Sequence, residues 1–362
     1  MKKERVVLLT GVSGFVGHLM AAVLLARHND LRLFLPFRSH HTESDLADRI
    51  LQRAKELNPS ANLSEKRLIM KPVSNLLDLI SMDSQLREVG VQEIIHSAGS
   101  VSYDDEETLL EVNVELTRYL VDLGKKLDVR RFIYISTAFS CGFGRKLIFE
   151  DLHPEPKFDP TLYTKTKRQT ENLIINSGVP YVIMRPSIVI GDSQTGVYYG
   201  KPYGIYQLMH FAHKVGRGSR KDNLHIIAPN VKLQVIHQDH FQDAMEKVFH
   251  HAEPGTIVHL ASEYSSLITS RELIDYWVQQ YLKPSSIHYY DSLADFPMED
   301  STLDRREKLF VEMTGVNNEI ASYDLEFDLT QLKKIYQSND VFPKVTYESL
   351  QKCIDWYMQK IA

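Results

Sequence analysis

The feature that most constrains this chain is a glycine-rich turn at residues 10–17, Thr-Gly-Val-Ser-Gly-Phe-Val-Gly. The apolar run at residues 6–9 comes directly before it and predicts a short buried strand. Apolar residues then recur at helical spacing from Leu19 to Leu24. A strand that turns into a helix through three glycines, each three residues from the next, is what a dinucleotide phosphate turn requires.

Each glycine has a separate role in such a turn. Gly11 permits the tight bend, Gly14 lets the backbone approach a pyrophosphate, and Gly17 allows the helix to pack closely on the strand. The N-terminus of the helix then offers free N–H groups and a partial positive charge to the phosphates. On spacing alone, a glycine-rich turn that binds nothing remains the alternative. The predicted contacts within the turn are Thr10, Gly11, Ser13, Gly14, Phe15, Val16 and Gly17.

Beyond the turn, short apolar strands alternate with helices as far as about residue 190. This alternation predicts an α/β fold, a Rossmann-type doubly wound parallel sheet with helices on both faces. We expect residues 1–190 plus 237–261 to form this NAD(P)-binding Rossmann domain, and residues 191–236 plus 262–362 to form a smaller, mostly helical substrate-binding region. The predicted strands are 6–9, 31–35, 67–70, 93–96, 132–135, 181–184 and 256–260, and the predicted helices are 43–57, 105–127, 162–176, 239–250 and 346–361.

Composition excludes several classes of protein. The chain has 362 residues, a net charge of −5 and two cysteines. An acidic chain without a long basic stripe is unsuited to nucleic acid as its main partner. Nowhere do 18 apolar residues follow one another, so no transmembrane segment is predicted. Cys141 and Cys353 lie far apart, which indicates no disulfide framework and favours a reducing, cytoplasmic location.

A second chemical signal is the pair Tyr163 and Lys167, four residues apart on a predicted helix and therefore on one helix face. A phenol with a pKa near ~10 is a poor acid–base group at neutral pH, and a neighbouring ammonium stabilises its phenolate. The strand at 132–135 ends just before Ser136 and Thr137, whose hydroxyls can hydrogen-bond a substrate carbonyl. A solvated Tyr–Lys pair on a polar helix is the alternative that the pair alone leaves open.

Taken in order, these segments resemble the motifs of the extended short-chain dehydrogenase/reductase superfamily. Residues 10–17 resemble its TGxxGxxG turn, and residues 96–99, His-Ser-Ala-Gly, resemble its HxA segment beside the adenine ribose and pyrophosphate. Asn113 resembles its structural asparagine, although Leu116 replaces the usual glycine of that motif. Arg-Pro-Ser at residues 185–187 resembles the turn that contacts the nicotinamide end.

The resemblance implies that Thr137, Tyr163 and Lys167 are the catalytic residues. By analogy with a superfamily that often pairs through two long helices, a homodimer is also expected. The cofactor contacts that it implies outside the glycine turn are Ser97, Ala98, Gly99, Asn113, Tyr163, Lys167, Pro186, Ser187 and Val189.

Within the superfamily, residues 185–196 look like the RPxxVxGdSxTG stretch of the thioester reductases. This male-sterility-like NAD-binding subgroup includes the fatty acyl-CoA reductases and the terminal reductase domains of carboxylic acid reductases and peptide synthetases. Residues 234–244 resemble its strand-to-helix entry, although His237 and Gln238 replace the proline and valine found there. Pro-Val-Ser-Asn at residues 72–75 replaces the usual Gly-Asp, so the contacts with adenine are expected to differ.

The end of the second predicted strand indicates which nicotinamide cofactor is bound. NAD-dependent enzymes place a carboxylate there for the ribose 2′-hydroxyl, whereas an arginine accommodates a 2′-phosphate. No Asp or Glu occurs between residue 31 and Glu43, and Arg38 occupies the position. A guanidinium forks onto phosphate, and Arg49 matches a second arginine of the thioester reductase pattern. NADP(H) is therefore favoured over NAD(H), with two solvated surface arginines as the alternative.

Three other groups of residues leave alternatives open. His237 and His240 flank Asp239, but two histidines without a third convergent ligand favour a helix cap and a surface residue, so no metal site is predicted. The basic segment from Lys214 to Lys221 suits the phosphates of coenzyme A, an acidic carrier protein or plain solvent. Four tyrosines fit either an acyl or aryl pocket or a tyrosine-rich core, namely Tyr198, Tyr199, Tyr203 and Tyr206.

The leading hypothesis is an NADPH-dependent reductase that transfers hydride to an acyl thioester, bound to CoA or to a carrier protein, and yields an aldehyde or an alcohol. The alternatives are a nucleotide-sugar epimerase or dehydratase, a ketone reductase, and a non-catalytic NADP(H)-binding regulator. Arg38 and residues 185–196 count against the epimerase. The intact set of Thr137, Tyr163 and Lys167 counts against the regulator.

Overall fold

The computed structural model describes residues 4–101, 105–159, 161–201, 203–216, 223–299, 303, 305–337 and 340–361. The strands within them are β1 (Arg5–Thr10), β2 (Leu31–Arg38), β3 (Leu68–Val73), β4 (Val91–His96), β5 (Arg131–Ile135), β6 (Leu147–Ile148), β7 (Tyr181–Pro186), β8 (Ile188–Ile190), β9 (Asn223–Ile227), β10 (Val235–His237), β11 (Thr256–Leu260), β12 (Ser286–Tyr290) and β13 (Glu326–Phe327). The helices are α1 (Phe15–Arg27), α2 (Glu43–Leu57), α3 (Leu76–Ile80), α4 (Asp83–Val89), α5 (Glu106–Leu109), α6 (Leu116–Leu127), α7 (Leu162–Ser177), α8 (Ile205–Gly216), α9 (Gln238–His251), α10 (Ser270–Trp277), α11 (Arg305–Ala321), α12 (Thr330–Ile335) and α13 (Tyr347–Ile361).

Seven parallel strands form the central sheet, in the order β11-β7-β5-β4-β1-β2-β3. From β1 the chain first adds β2 and β3 on one side, and then adds β4, β5, β7 and β11 on the other. The direction of winding therefore reverses between β1 and β4. A doubly wound sheet binds its ligands at this reversal, beyond the carboxyl ends of the strands. The architecture confirms the predicted Rossmann-type fold class.

Helix α1 follows the glycine turn directly and lies in the centre of the first apolar core. Every residue from Leu19 to Ala26 is buried. The helix packs against α2 and α9 as well as against β1 and β2. A helix that is apolar on all sides is stable only inside a core. The turn that positions α1 therefore also positions the core around it.

Strand β2 is longer than the sequence predicts, because it continues from Leu35 through Pro36 to Arg38. It pairs with β1 only as far as Phe34, and from Leu35 onward it pairs with β3 alone. Pro36 therefore lies on a stretch of strand that has a neighbour on one side, where a missing N–H is tolerated. The extension carries Arg38 to the carboxyl end of the strand.

The long helix predicted before β5 is interrupted. After α5 the backbone forms a π-helical turn at Leu110–Glu115, and α6 follows it directly. Helical spacing over 105–127 predicts one apolar face that carries Leu109, Leu110, Val112, Leu116 and Leu120. Leu109 and Leu120 are buried, whereas Leu110 is 43% exposed, so the prediction is wrong for Leu110. The wider π turn rotates the residues that follow it around the helix axis. Asn113 lies within this turn and is buried.

A second apolar core is built from α8, α10, α13 and the neighbouring strands β9 and β10. Trp277 is the largest fully buried side chain in it. The segment of β13 and α12 packs instead in the first core, against the central sheet. It contributes Leu325, Phe327, Leu329 and Leu332. The predicted division of the chain into two domains stays a prediction.

Within the described ranges, none of the helices combines the length and the apolarity that a membrane crossing requires. Cys141 and Cys353 are both free thiols, in agreement with the absence of a predicted disulfide framework. The cytoplasmic location and the homodimer stay predictions.

Replacing Leu332 with alanine tests whether α12 belongs to the first core. Leu332 is fully buried there, and a cavity of this kind lowers the free energy of unfolding by about 2–5 kcal/mol. Urea denaturation measures the loss. Lys333→Ala, at an exposed position of the same helix, is expected to change that free energy by about 0.5 kcal/mol or less. Equal effects of the two substitutions would contradict this packing.

Candidate active site

A cleft of about 1590 Å³ opens beyond the carboxyl ends of the central strands. It runs from the glycine turn and the end of β2, past the ends of β4 and β5, to residues of β9, α10 and α11. Every predicted catalytic or cofactor-binding residue lines it except Asn113. Motifs that are spread along the chain from residue 10 to residue 189 are therefore brought to one site.

Two close contacts between backbone segments explain why the turn requires glycine. Gly11 has a φ of +79°, and a Cβ there would lie 2.5 Å from the backbone nitrogen of Ala98. A Cβ on Gly17 would collide with the carbonyl oxygen of Gly11. Helix α1 begins after Gly14 with no side-chain cap and no acidic residue in its first turn. Its first N–H groups and the positive end of its dipole therefore meet no competing anion, which suits a pyrophosphate.

Thr10 and His96 join the ends of β1 and β4. Thr10 Oγ1 lies 2.8 Å from His96 Nδ1 and accepts a hydrogen bond from the N–H of Ala98. His96 Nε2 lies 2.9 Å from Thr117 Oγ1, whose own proton goes to a backbone carbonyl. This network assigns the ring proton to Nε2. Burial and then the charge of Lys167 lower the pKa of His96 to about 3, so the ring is neutral.

Asn113 has a structural position behind the cleft. Its Oδ1 accepts from the N–H of Ser100 at 2.8 Å, and its Nδ2 donates to the carbonyl of Ser100 at 3.1 Å and to Thr166 Oγ1 at 3.3 Å. It therefore holds the loop after β4, which carries residues 97–99, against α7. Its predicted contact with a cofactor stays a prediction.

The end of β2 and the helix α2 form a cationic corner of the cleft, which comprises Arg38, His40, His41 and Arg49. Arg38 is exposed, and Arg49 is 52% exposed with its guanidinium 4.0 Å from the carboxylate of Asp45. The pKa of His41 lies below its usual value because of burial, and then because of the positive charges of His40, Arg49 and Arg38. Positively charged groups this close repel one another, and a bound anion relieves that repulsion. The cationic corner suits a 2′-phosphate.

Sequence reasoning missed Arg53, which lines the same cleft one helical turn after Arg49. Its guanidinium donates to Gln242 Oε1 at 2.8 Å and to the hydroxyl of Tyr199 at 3.3 Å. It also lies 4.6 Å from the centroid of the Tyr199 ring. Arg53 thereby joins α2 to α9 and to the loop after β8. The four-residue spacing from Arg49 was the available signal, because residues at that spacing share a helix face.

Two adjacent hydroxyls at the end of β5 have different partners. Ser136 donates to the carboxylate of Glu171 in the interior. Thr137 lines the cleft, and its Oγ1 accepts a hydrogen bond from the N–H of Phe139 at 3.3 Å. Because this contact uses the oxygen as an acceptor, the hydroxyl proton can be donated to a ligand. Thr137, and not Ser136, thus has the position of a donor to a carbonyl.

Tyr163 and Lys167 line the cleft from the first turns of α7. Lys167 Nζ donates to the carbonyl of Ile135 at 2.9 Å, and it lies 5.9 Å from the ring centroid of Tyr163 and 4.7 Å from that of Tyr134. Burial lowers the pKa of Lys167 from 10.5 to about 8, and the carboxylate of Glu171 opposes that fall. The structure thus brings the predicted pair together.

The four tyrosines that the sequence assigns either to a pocket or to a core are divided between the two. Tyr198 and Tyr206 are buried and stack, with ring centroids 4.5 Å apart. Tyr199 and Tyr203 are about half exposed and line the cleft. Two of these tyrosines therefore belong to the core and two to the cleft. The buried Tyr198 also lines the cleft wall. Of the basic segment 214–221, residues 217–221 lie outside the described residues.

Both ring nitrogens of His237 are held by hydrogen-bond partners. Nδ1 lies 2.7 Å from the carbonyl oxygen of Gly191, and Nε2 lies 2.7 Å from Ser349 Oγ. Across the described part of the chain, one cluster offers three potential metal ligands within 4.8 Å of one another. It does not line the cleft, and its carboxylate already accepts a hydrogen bond from Arg27. This cluster consists of His28, Glu246 and His250.

Comparison with known proteins identifies the family to which the chain belongs. A family model described as male sterility protein matches residues 9–245, which is more than half of the chain. A putative fatty acyl-CoA reductase of Drosophila melanogaster is 26% identical across a region that covers 51% of this chain and 41% of that protein. The chain spans about half, or less, of the length of the curated relatives that it matches.

Two solved structures are similar over nearly the whole chain. The terminal R domain from the myxalamid PKS-NRPS biosynthetic pathway matches 100% of this chain and 91% of its own, with a TM-score of 0.75 and 20% identity. UDP-glucuronic acid 4-epimerase from Bacillus cereus, in complex with NAD, matches 99% of this chain and 100% of its own, with a TM-score of 0.65 and 15% identity. At such identities the likeness shows the fold.

The buried ammonium of Lys167 predicts a pH dependence of stability. Its pKa is about 8 in the folded chain against 10.5 for an ordinary lysine, so between these values the unfolded chain binds one more proton. The free energy of unfolding that depends on Lys167 therefore rises with pH in this window, by at most about 1.4 kcal/mol per pH unit.

Urea denaturation between about pH 7 and pH 10 checks this dependence. The wild type is expected to gain stability relative to Lys167→Met as the pH rises. Lys165→Met, at an exposed position of the same helix, is the control, and its difference from the wild type should not change with pH. A constant difference for Lys167→Met would contradict the prediction.

Proposed function

Because the chain belongs to the male sterility protein family, we propose that it is an NADPH-dependent oxidoreductase that reduces an acyl thioester. The observation that carries the proposal is that Thr137, Tyr163 and Lys167 line the same cleft as the glycine turn and the cationic corner. A cofactor on the turn and a carbonyl beside Thr137 would occupy one continuous space. The product is an aldehyde, or an alcohol after a second reduction.

The residues of the cleft fit a nicotinamide dinucleotide. The N–H groups at the start of α1 would hold the pyrophosphate. Arg38 and Arg49 would hold the 2′-phosphate. Residues 97–99 would border the adenosine ribose, and residues 186–189 would border the nicotinamide. When bound, NADPH supplies the hydride that reaches the carbonyl carbon of the thioester.

Thr137 and Tyr163 act on the carbonyl oxygen. Their hydroxyls donate hydrogen bonds to it, which stabilises the negative charge that develops there as the carbon is reduced. Tyr163 then gives its proton to that oxygen, and the ammonium of Lys167 stabilises the phenolate that remains. Collapse of the resulting hemithioacetal breaks the carbon–sulfur bond and releases the thiol and the aldehyde.

The far arm of the cleft suits an acyl group. Apolar side chains of β9, α10 and α11 line it, among them Ile227, Leu273, Ile274 and Ile320. Apolar walls favour an acyl chain, whereas a sugar would need polar partners for its hydroxyls. The apolar part of this arm therefore fits the acyl chain of a thioester, beside polar side chains that also line the cleft, among them Gln207, Gln234 and Asn317.

An assay of NADPH oxidation with acyl-CoAs, acyl-pantetheine thioesters, nucleotide sugars and ketones tests the function. We expect turnover of the thioesters, and we expect Tyr163→Phe to be slower by about 100-fold or more, because the proton donor is lost. Tyr203→Phe, at another tyrosine that lines the cleft, is the matched control and should retain activity. Turnover of a nucleotide sugar or a ketone alone, or full activity of Tyr163→Phe, would refute the proposal.

The preference for NADPH has its own test. Arg38→Ala removes a charged donor to the 2′-phosphate, so the Kd of NADPH is expected to rise about 10- to 100-fold while the Kd of NADH stays the same. Arg32→Ala, on the same strand but away from the cleft, should change neither. Fluorescence titration of the two reduced cofactors gives both constants. Equal weakening of both cofactors by Arg38→Ala would show that the arginine does not read the phosphate.

A further inference from the structure

Glu171 lies on α7, four residues after Lys167 and eight after Tyr163, and it is fully buried. Its Oε1 accepts hydrogen bonds from Ser136 Oγ and, at 3.0 Å, from Arg185 Nε. Its Oε2 accepts from Arg185 Nη2 at 2.7 Å. One carboxylate thereby joins α7 to the end of β5 and to β7, directly behind the catalytic set.

Arg185 is also fully buried and has further partners. Its guanidinium donates to the carbonyl of Asp151 at 2.8 Å and lies 2.8 Å from His153 Nε2. A buried ion pair with complete hydrogen bonding keeps its geometry, because loss of either partner leaves an uncompensated charge. Glu171 is therefore held in one orientation.

The mechanism needs a positive charge at Lys167, yet the site provides little solvent to maintain it. Lys167 is buried, and its ammonium donates to a backbone carbonyl. Glu171 follows Lys167 by four residues on α7, and its carboxylate accepts from Ser136, the neighbour of Ile135, whose carbonyl accepts from the ammonium. Residues at positions i and i+4 share a helix face. The two residues are thus one helical turn apart on one face of α7, and Glu171 does not line the cleft.

We propose that Glu171 is a positioning residue that keeps Lys167 charged beside Tyr163. The inference rests on the proposed function for its link to catalysis, but the charge of Lys167 can be measured without any substrate. Glu171 itself touches neither the cleft nor a reacting atom.

The other titratable groups around this cluster do not replace Glu171. Burial lowers the pKa of His96, His153 and His259 to about 3, so these rings are neutral. Burial raises the pKa of the Cys141 thiol to about 12 and raises the pKa of Tyr134 well above its usual value, so both keep their protons.

Other charged groups surround the cluster of Glu171 and Arg185. Arg168 forms ion pairs with Asp159 and Glu155. Burial raises the pKa of Glu150 to about 7, and this carboxyl interacts with Arg185. The carboxylates of Asp159 and Glu155 pair with Arg168, and that of Glu150 accepts from the N–H groups of His259 and Gln331.

The decisive experiment follows the charge of Lys167 by NMR, in protein labelled with ¹³C,¹⁵N-lysine and with Lys167→Met used for assignment. In Glu171→Gln, the titration midpoint of Lys167 is expected to fall by about one pH unit relative to the wild type. Glu171→Asp keeps the charge and should restore most of the midpoint. Ser140→Ala removes one hydrogen bond to the same carboxylate and should leave the midpoint unchanged.

A second variant covers the case in which Glu171→Gln does not fold because Arg185 is left unpaired. The double substitution Glu171→Gln with Arg185→Met removes both charges of the ion pair, and the Lys167 midpoint should fall by less than in the single variant, because a positive charge is lost as well. An unchanged midpoint in the folded variant, single or double, would overturn the inference whatever the substrate is.

The link to catalysis has a separate readout. With an active thioester substrate, the alkaline limb of kcat against pH should move to lower pH by the same amount as the NMR midpoint, with KM less affected. A limb that stays in place while the midpoint moves would overturn the positioning role. A moved midpoint in a protein that reduces no thioester would refute the proposed function and leave the effect of Glu171 on Lys167 standing.

Discussion

The site depends on the close contact between the turn after β1 and the loop after β4. A Cβ on Gly11 would lie 2.5 Å from the nitrogen of Ala98, and the contact between Thr10 and His96 holds the two strand ends together. These strands flank the place where the winding of the sheet reverses. Because no side chain separates the turn from the loop, α1 begins at the floor of the cleft with its N–H groups available to an anion.

Helix α7 supports the other half of the site from a single face. Tyr163, Lys167 and Glu171 follow at four-residue spacing and lie progressively deeper, from the half-buried tyrosine at the cleft to the fully buried carboxylate. The lysine charge is tolerated in the interior because a carbonyl and a carboxylate accompany it, and Arg185 in turn compensates the carboxylate. The proposed catalytic residues and the ion pair behind them are therefore both anchored to the end of β5 by α7.

Much of the fold could be predicted, because strands that are buried on both faces appear in the sequence as short apolar runs. The strand at Thr256–Leu260 lies at the predicted residues. The predictions fail where a neighbouring element changes local geometry. Strand β2 continues through Pro36 because it pairs there with β3 alone, and a π turn interrupts the predicted helix at the exposed Leu110. Neither effect has a signal in the spacing of nearby residues.

The sequence by itself determined the seven strands of the central sheet, the glycine turn, and the pairing of Tyr163 with Lys167. Each of these depends on the spacing of residues that are close in the sequence, because the helix and strand periods determine which of them share a face. Only the tertiary structure decided that Ser136 donates to Glu171 while Thr137 accepts from the N–H of Phe139, and that Arg53 reaches Tyr199. Those contacts join residues far apart in the chain, and their distances are set by how the helices pack on the sheet.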